Sequence, residues 1–286
     1  MAVLEGHTDW VTCLALLDTA GDGKHPAQRL VSGSRDKSPR VWDLARGSCD
    51  TVLEGHTNGV SGVVVLHGSG SGGVDRVVTS SGDESVRVWD AASGSCLSVM
   101  RGKTGKLFCM VLVDGGGGDG GGALVATGTW DGPVHVWDVD RGALVAELTG
   151  HPAPVSILAV MEGDGDGRAA RLVSGCYDGS VRVWRVGAWT CEAAFEGPHR
   201  WTMPSPARYV PPAPAAAADG RGCLAAGVFL MSVIGECGAF LDIHEGRPRL
   251  RLVPCPPSLT AVVSVAGSRV VWGTKTGPVY FSHFAP

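Results

Sequence analysis

The chain has 286 residues, 44% of them hydrophobic and 18% charged, a balance that specifies a folded globular chain rather than a disordered one. Its 24 basic and 28 acidic residues leave a net charge of −4, so no basic excess exists to neutralise phosphates and no nucleic-acid partner is expected. The nine cysteines form no CxxC pair, which argues against a disulfide scaffold or zinc ribbon and for a reducing compartment, cytoplasmic or nuclear; no apolar run suggests membrane insertion, and residues 1–7 lack the pattern of a signal peptide.

Taken in chain order, the predicted elements repeat. Ala2-Val3-Leu4-Glu5 reads as a strand and is followed by Gly6-His7, then by Leu30-Val31-Ser32-Gly33 and Arg40-Val41-Trp42-Asp43. The same three strings return as Gly55-His56, Val77-Val78-Thr79-Ser80 and Arg87-Val88-Trp89-Asp90. A third set has Gly102-Lys103 in place of Gly-His, then Val125-Ala126-Thr127-Gly128 and His135-Val136-Trp137-Asp138. A fourth has Gly150-His151, Leu172-Val173-Ser174-Gly175 and Arg182-Val183-Trp184-Arg185. Residues 60–66, 74–80 and 86–89 are rich in β-branched residues and bounded by Gly, Asp or Ser, so they read as strands. No segment keeps a helical period. Two further periods follow by register: one begins near Glu196-Gly197-Pro198-His199, with Phe240-Leu241-Asp242-Ile243 at the Trp strand, and one ends at Val279-Tyr280-Phe281-Ser282.

In-register recurrence of three strings resembles the WD-repeat family of β-propellers, most clearly over residues 1–190. The resemblance implies an all-β, single-domain propeller over residues 1–286. Its repeats fall at approximately 1–48, 49–95, 96–143, 144–190, 191–245 and 246–286, the last two degenerate. The expected count is six blades of four-stranded antiparallel sheet, with an incomplete seven-bladed propeller as the alternative. Residues 2–5 are then expected to complete the blade that residues 279–282 leave open, which removes a free sheet edge.

His7/Ser32/Asp36, His56/Thr79/Asp83 and His151/Ser174/Asp178 are the residue types of a hydrolytic triad, but an enzyme needs one such set, not three at a fixed period. The family resemblance supplies a structural role instead. It implies hydrogen-bonded tetrads His7/Ser32/Asp36/Trp42, His56/Thr79/Asp83/Trp89 and His151/Ser174/Asp178/Trp184, with Thr127, Asp131 and Trp137 as the incomplete third set. Gly115–Gly120 fits GxGxxG only inside a glycine run that leads into a strand, so no dinucleotide site is expected. The Gly102-Lys103-Thr104 string lacks the first P-loop glycine, and Asp164-Gly165-Asp166-Gly167 lacks a closing Glu for calcium. No catalytic residue, metal, cofactor or small-molecule substrate is expected. Cys49, Cys96 and Cys191 each lie seven residues after a repeat Trp, and Cys13 and Cys109 six after the His position; all five are expected to pack as small apolar side chains.

Function is then expected on the loops of one face, which in the family commonly bind peptides or proteins. Carried over by register, the exposed top positions include Trp10, Arg35, Lys106, Phe108, Trp130 and Tyr177, residue types that dominate binding hot spots. The expected activity is a non-catalytic scaffold that holds a protein or peptide partner, within a multiprotein complex. The alternatives are a substrate receptor or regulatory subunit of a ubiquitin-ligase or kinase system and, remotely, a propeller enzyme. No F-box-like segment precedes Glu5, and Arg46 and Arg141 fall one residue late for a Trp-Asp-x-Arg pattern.

Overall fold

Neighbouring residues of a strand point to opposite sides of its sheet, so a strand covered on both sides needs apolar residues in consecutive positions. The pairs Leu30-Val31, Val77-Val78, Val125-Ala126 and Leu172-Val173 meet that need, and all eight residues are fully buried. A computed structural model describes residues 2–18, 28–68, 74–102, 105–113, 122–161 and 170–195, and beyond them the backbone of strands between 208 and 283. Lys103, the Gly115–Gly120 string, residues 164–167 and the Pro-rich segment 211–214 lie outside the described residues.

The chain opens with β1 (Ala2–Leu4). The first full sheet is β2 (Val11–Asp18), β3 (Gln28–Ser34), β4 (Arg40–Asp43) and β5 (Ser48–Val52). The second is β6 (Val60–Leu66), β7 (Arg76–Ser81), β8 (Ser85–Asp90) and β9 (Cys96–Arg101). The third is β10 (Leu107–Val113), β11 (Leu124–Thr129), β12 (Val134–Asp138) and β13 (Ala143–Leu148). The fourth is β14 (Val155–Met161), β15 (Arg171–Cys176), β16 (Val181–Arg185) and β17 (Cys191–Phe195). A fifth comprises β18 (Arg208–Tyr209), β19 (Val228–Ile234), β20 (Cys237–His244) and β21 (Arg247–Pro254). The sixth is β22 (Leu259–Val265), β23 (Arg269–Thr274) and β24 (Val279–His283), completed by β1, which pairs Ala2, Val3 and Leu4 with Phe281, Tyr280 and Val279. The described residues thus form six antiparallel four-stranded sheets, each a meander in chain order apart from this junction. Phe240–Ile243 falls on the third strand of its sheet, as the register predicts.

The apolar core is divided among the interfaces between successive sheets. Val31, Val41 and Leu53 meet Val60, Val77 and Trp89. Val78, Val86 and Met100 meet Leu107, Val125 and Trp137, and Val134, Val136 and Leu148 meet Val155, Leu172 and Trp184. Trp42 lies with Leu4 of β1. Each repeat Trp therefore seals its own blade against the preceding one. Blade contacts also fix side-chain size across the first two strands. A Cβ on Gly33 would lie 2.3 Å from Cys13 Sγ and 2.6 Å from Val60 Cγ1, so the position opposite Cys13 is closed to any side chain. In the second blade the pair is reversed: Ser80 takes the β7 position and Gly62 the β6 position opposite it.

The pairing of first and second strands slips by one residue at Val11/Cys13, Val60/Gly62, Leu107/Cys109, Val155/Ile157 and Leu259/Ala261. Such a bulge leaves one residue outside the ladder and re-aims its side chain. The bulged residues are Thr12, Ser61, Phe108 and Ser156, with Thr260 at the same register in the sixth sheet. They sit at the end of each blade that carries the Gly-His turn.

Candidate functional site

Two layers meet at that end of the molecule, a buried hydrogen-bond network and the loops above it. In the first blade Trp42 Nε1 donates to Ser32 Oγ at 2.7 Å, Ser32 Oγ lies 2.6 Å from His7 Nε2, and His7 Nδ1 lies 2.7 Å from Asp36 Oδ2. The second repeats it with Trp89, Thr79, His56 and Asp83 at 2.8, 2.7 and 2.9 Å. One proton arrangement satisfies every member. The indole N–H donates to the hydroxyl, the hydroxyl donates to Nε2, and a neutral imidazole protonated on Nδ1 donates to the carboxylate. Burial holds His56 below the ordinary histidine pKa against the opposing pull of Asp83. Burial also works to raise the Asp36 carboxyl, but hydrogen bonds from His7 and Ser38 outweigh it and hold the group well below the usual carboxylate range. Asp83 is likewise held to about 2, its bonds from Ser85, Thr57 and His56 overcoming burial. Ser32 and Thr79 are fully buried, with both hydrogen-bonding directions used. They are clamps in form, out of reach of any substrate.

The fourth blade corrects the expected tetrad. Trp184, Ser174 and His151 are joined as before, at 2.8 and 2.7 Å, but His151 Nδ1 bonds Ser180 Oγ at 3.0 Å, and Ser180 Oγ donates to Asp178 Oδ1 at 2.7 Å. The relay reaches its carboxylate through a serine. Burial, then the charge of Arg182, lowers His151 to about 4, with Asp178 opposing. In the third blade Trp137 Nε1 donates to Thr127 Oγ1 at 2.8 Å, but no hydrogen bond among the described residues joins exposed Asp131 to either. His135 takes the place of the arginines at positions 40, 87 and 182, and its buried Nδ1 has no partner among the described residues.

Sequence reasoning missed two groups that the same period marks. Ser38, Ser85 and Ser180 each lie two residues after the network aspartate, and each donates its hydroxyl and its backbone N–H to that carboxylate. The third blade has Pro133 there, which can do neither. The second group overturns a reading. Cys49 is half-buried and packs against the Leu4–Trp42 cluster as expected, but Cys96 and Cys191 are exposed rather than packed. All three sit on the outermost strands, where one face is open, with Sγ 4.0, 3.9 and 3.9 Å from the guanidinium groups of Arg40, Arg87 and Arg182. Those guanidiniums lie beneath Gly6, Gly55 and Gly150, whose positive φ of 151°, 148° and 138° explains the glycine of Gly-His. Cys13 and Cys109 are buried, as expected.

Above the network, one backbone bond recurs in the first four blades and ties the two top loops together. Arg35 N donates to Trp10 O, Gly82 N to Gly59 O, Trp130 N to Lys106 O and Tyr177 N to Pro154 O, at 2.9, 2.9, 2.9 and 3.0 Å. The loop positions read from register are therefore paired residues on a rigid base. Trp10 and Arg35 stack, with the guanidinium carbon 4.2 Å from the ring centroid. Phe108, Trp130 and Tyr177 form an edge-to-face trio spanning the third and fourth blades, with centroids 5.6, 5.6 and 6.3 Å apart. Trp130 is 50% exposed, Phe108 and Tyr177 are half-buried, and Lys106 is exposed. Burial raises the Tyr177 phenol pKa, Cys109 adds to it and the charge of Arg35 opposes it. At the same register positions the second blade has Gly59, Ser61 and Gly82, with exposed Asn58 bonded across its two loops to Gly82 O.

Blades of four antiparallel strands, sealed by a repeated Trp and locked by His-hydroxyl-Trp chains, define a β-propeller of the repeat type. The chain carries WD repeats: the family model "WD domain, G-beta repeat" matches residues 1–43, 47–90 and 142–185. The interval between the second and third matches holds the first three strands of the third blade, where the His network is incomplete. Over 160 residues the chain is 30% identical to pre-mRNA-processing factor 19 of Bos taurus, covering 56% of this chain and 28% of that protein. It is 42% identical over 62 residues to small ribosomal subunit protein RACK1y of Oryza sativa subsp. japonica, covering 21% of this chain and 17% of that protein. With the Lissencephaly-1 homolog of Glossina morsitans morsitans it shares 40% over 72 residues, or 21% and 18% of the two chains. The matches span less than a third of each relative.

Proposed function

We propose that this chain is a non-catalytic scaffold that docks a protein or peptide partner on its top face, through Trp10, Arg35, Lys106, Phe108, Trp130 and Tyr177. The aromatic trio with its exposed Trp130, together with the Trp10–Arg35 stack, carries the reading. Large aromatic and arginine side chains, on loops tied by a backbone bond in each of the first four blades, present much contact area at little entropic cost. Two of the relatives are named for pre-mRNA processing and for the small ribosomal subunit, which supports a role within an assembly.

The test compares affinity capture by the native chain and by a Trp10→Ala/Arg35→Ala/Trp130→Ala variant, with partners identified by mass spectrometry and folding checked by circular dichroism. Partners lost by the folded variant support the reading, and ligase or kinase components among them would narrow it to a receptor or regulatory subunit. A folded variant that keeps every partner overturns it.

A further inference from the structure

The fourth blade departs from the first and second at two positions, and both departures meet at one point. Two residues before the network aspartate, the first two blades carry Ser34 and Ser81, whose hydroxyls donate to Asp9 O and Asn58 O. The fourth carries Cys176, whose Sγ donates to Ala153 O at 3.1 Å. A hydroxyl position has become a thiol. In the first two blades the imidazole Nδ1 is also held directly against the carboxylate, whereas His151 Nδ1 turns to Ser180. The edge between His151 and Asp178 is thereby opened. One nitrogen, one sulfur and one oxygen atom, from His151, Cys176 and Asp178, lie within 4.8 Å of one another.

We infer that His151, Cys176 and Asp178 form a binding site for a borderline-soft divalent transition-metal ion of the zinc class. An N, S, O donor set suits zinc and disfavours calcium or magnesium, which take oxygen ligands. Thiolate and carboxylate together balance the divalent charge, so the loaded site is neutral beside Arg182. The ring is already oriented by its far nitrogen, since His151 Nε2 lies 2.7 Å from Ser174 Oγ, the outer hydrogen bond that metal-bound histidines use. His151 and Cys176 are buried while Asp178 is half-buried, leaving the carboxylate side as entry and as the place for a water ligand. The protons balance as follows. The Cys176 thiol releases its proton to solvent, and the imidazole proton moves from Nδ1 to Nε2. Ser174 Oγ then accepts from both His151 and Trp184 through its two lone pairs, and its own hydrogen, released from Nε2, rotates away from the ring. Ser180 keeps its bond to Asp178.

The experiment titrates the full chain, under reducing conditions, with cobalt(II), a spectroscopic substitute for zinc, and then adds zinc(II). One cobalt per chain with a sulfur-to-cobalt charge-transfer band, bleached by zinc, is the expected result. Cys176→Ser reproduces the side chain of the first two blades and is expected to fold; it should lose the band and weaken binding on the order of a hundredfold or more. Binding unchanged in Cys176→Ser assigns the metal to exposed thiols such as Cys96 or Cys191 and overturns the inference. The wild-type spectrum is decisive without any variant, since absence of a thiolate band also overturns it.

Discussion

The hydrogen-bond relay makes a prediction that the protein itself controls. Replacing Thr79 by Val keeps the shape of the side chain and removes its hydroxyl. Two buried groups then lose their partner, the Trp89 indole N–H and His56 Nε2. Each unmet group costs about 1–3 kcal/mol, so Thr79→Val should destabilise the chain by about 2–5 kcal/mol. The same change at Thr127 strips the Trp137 indole and a long 3.5 Å bond to the His135 carbonyl, but no imidazole among the described residues bonds that hydroxyl, so it should cost about 1–3 kcal/mol. The difference between the two variants isolates the histidine arm of the network. Equilibrium urea unfolding followed by tryptophan fluorescence measures both, with the slope checked for constancy. Equal losses in the two variants, or a Thr79→Val loss below about 1 kcal/mol, would refute the claim that the relay is cooperative structure.

Two further outcomes follow. Because burial lowers the folded-state pKa of His56, the unfolded chain binds that proton first, so stability should fall as pH drops below the ordinary histidine value near 6.5. Asp83, held to about 2, adds stability that is present above the unfolded value of 3.8 and is lost as pH falls toward 2; urea midpoints at pH 7.5, 5.5 and 3.5 should decrease in that order, and a flat profile between 7.5 and 5.5 would contradict the neutral imidazole. Glu84 sits at a φ of 68°, where the third and fourth blades use Gly132 and Gly179, so Glu84→Gly should stabilise by about 0.5–1 kcal/mol, and a loss in the same urea assay would show that the side chain holds the turn.

Much of this architecture is legible in the sequence because sheets buried on both faces leave a plain mark. The consecutive apolar pairs at 30–31, 77–78, 125–126 and 172–173 announce two covered sides, and the invariant spacing to Trp announces which interface each strand end seals. Equivalence by period says nothing about exposure, however. Cys49, Cys96 and Cys191 occupy equivalent places, but on outermost strands with an open face, and only the three-dimensional arrangement shows it. The top-face positions follow from register, whereas the contact of Phe108, Trp130 and Tyr177 does not. It depends on how the third and fourth blades are splayed, and on a bulge that no residue type signals. The Asp-x-Ser relay was readable at 36–38, 83–85 and 178–180, and its loss at Pro133 coincides with the loss of the histidine arm in the same blade.

The short pairing of β1 with β24 has a kinetic consequence. A hairpin such as β6–β7 closes a loop of about ten residues, while the β1–β24 contact must bring together segments some 275 residues apart. Loop entropy grows as (3/2)RT ln n, so the distant pairing carries a penalty about 3 kcal/mol larger than the local one when formed from an unfolded chain. Three backbone-paired residues and the buried side chain of Leu4 cannot meet that penalty early. They can meet it once the intervening blades have stacked and brought the two segments side by side. Assembly therefore has a direction: local meanders first, blade stacking second, and the β1–β24 seam last. Until that seam forms, β24 offers an open edge to any passing strand, and three residues near the start of the chain decide whether its own β1 or a foreign strand fills it.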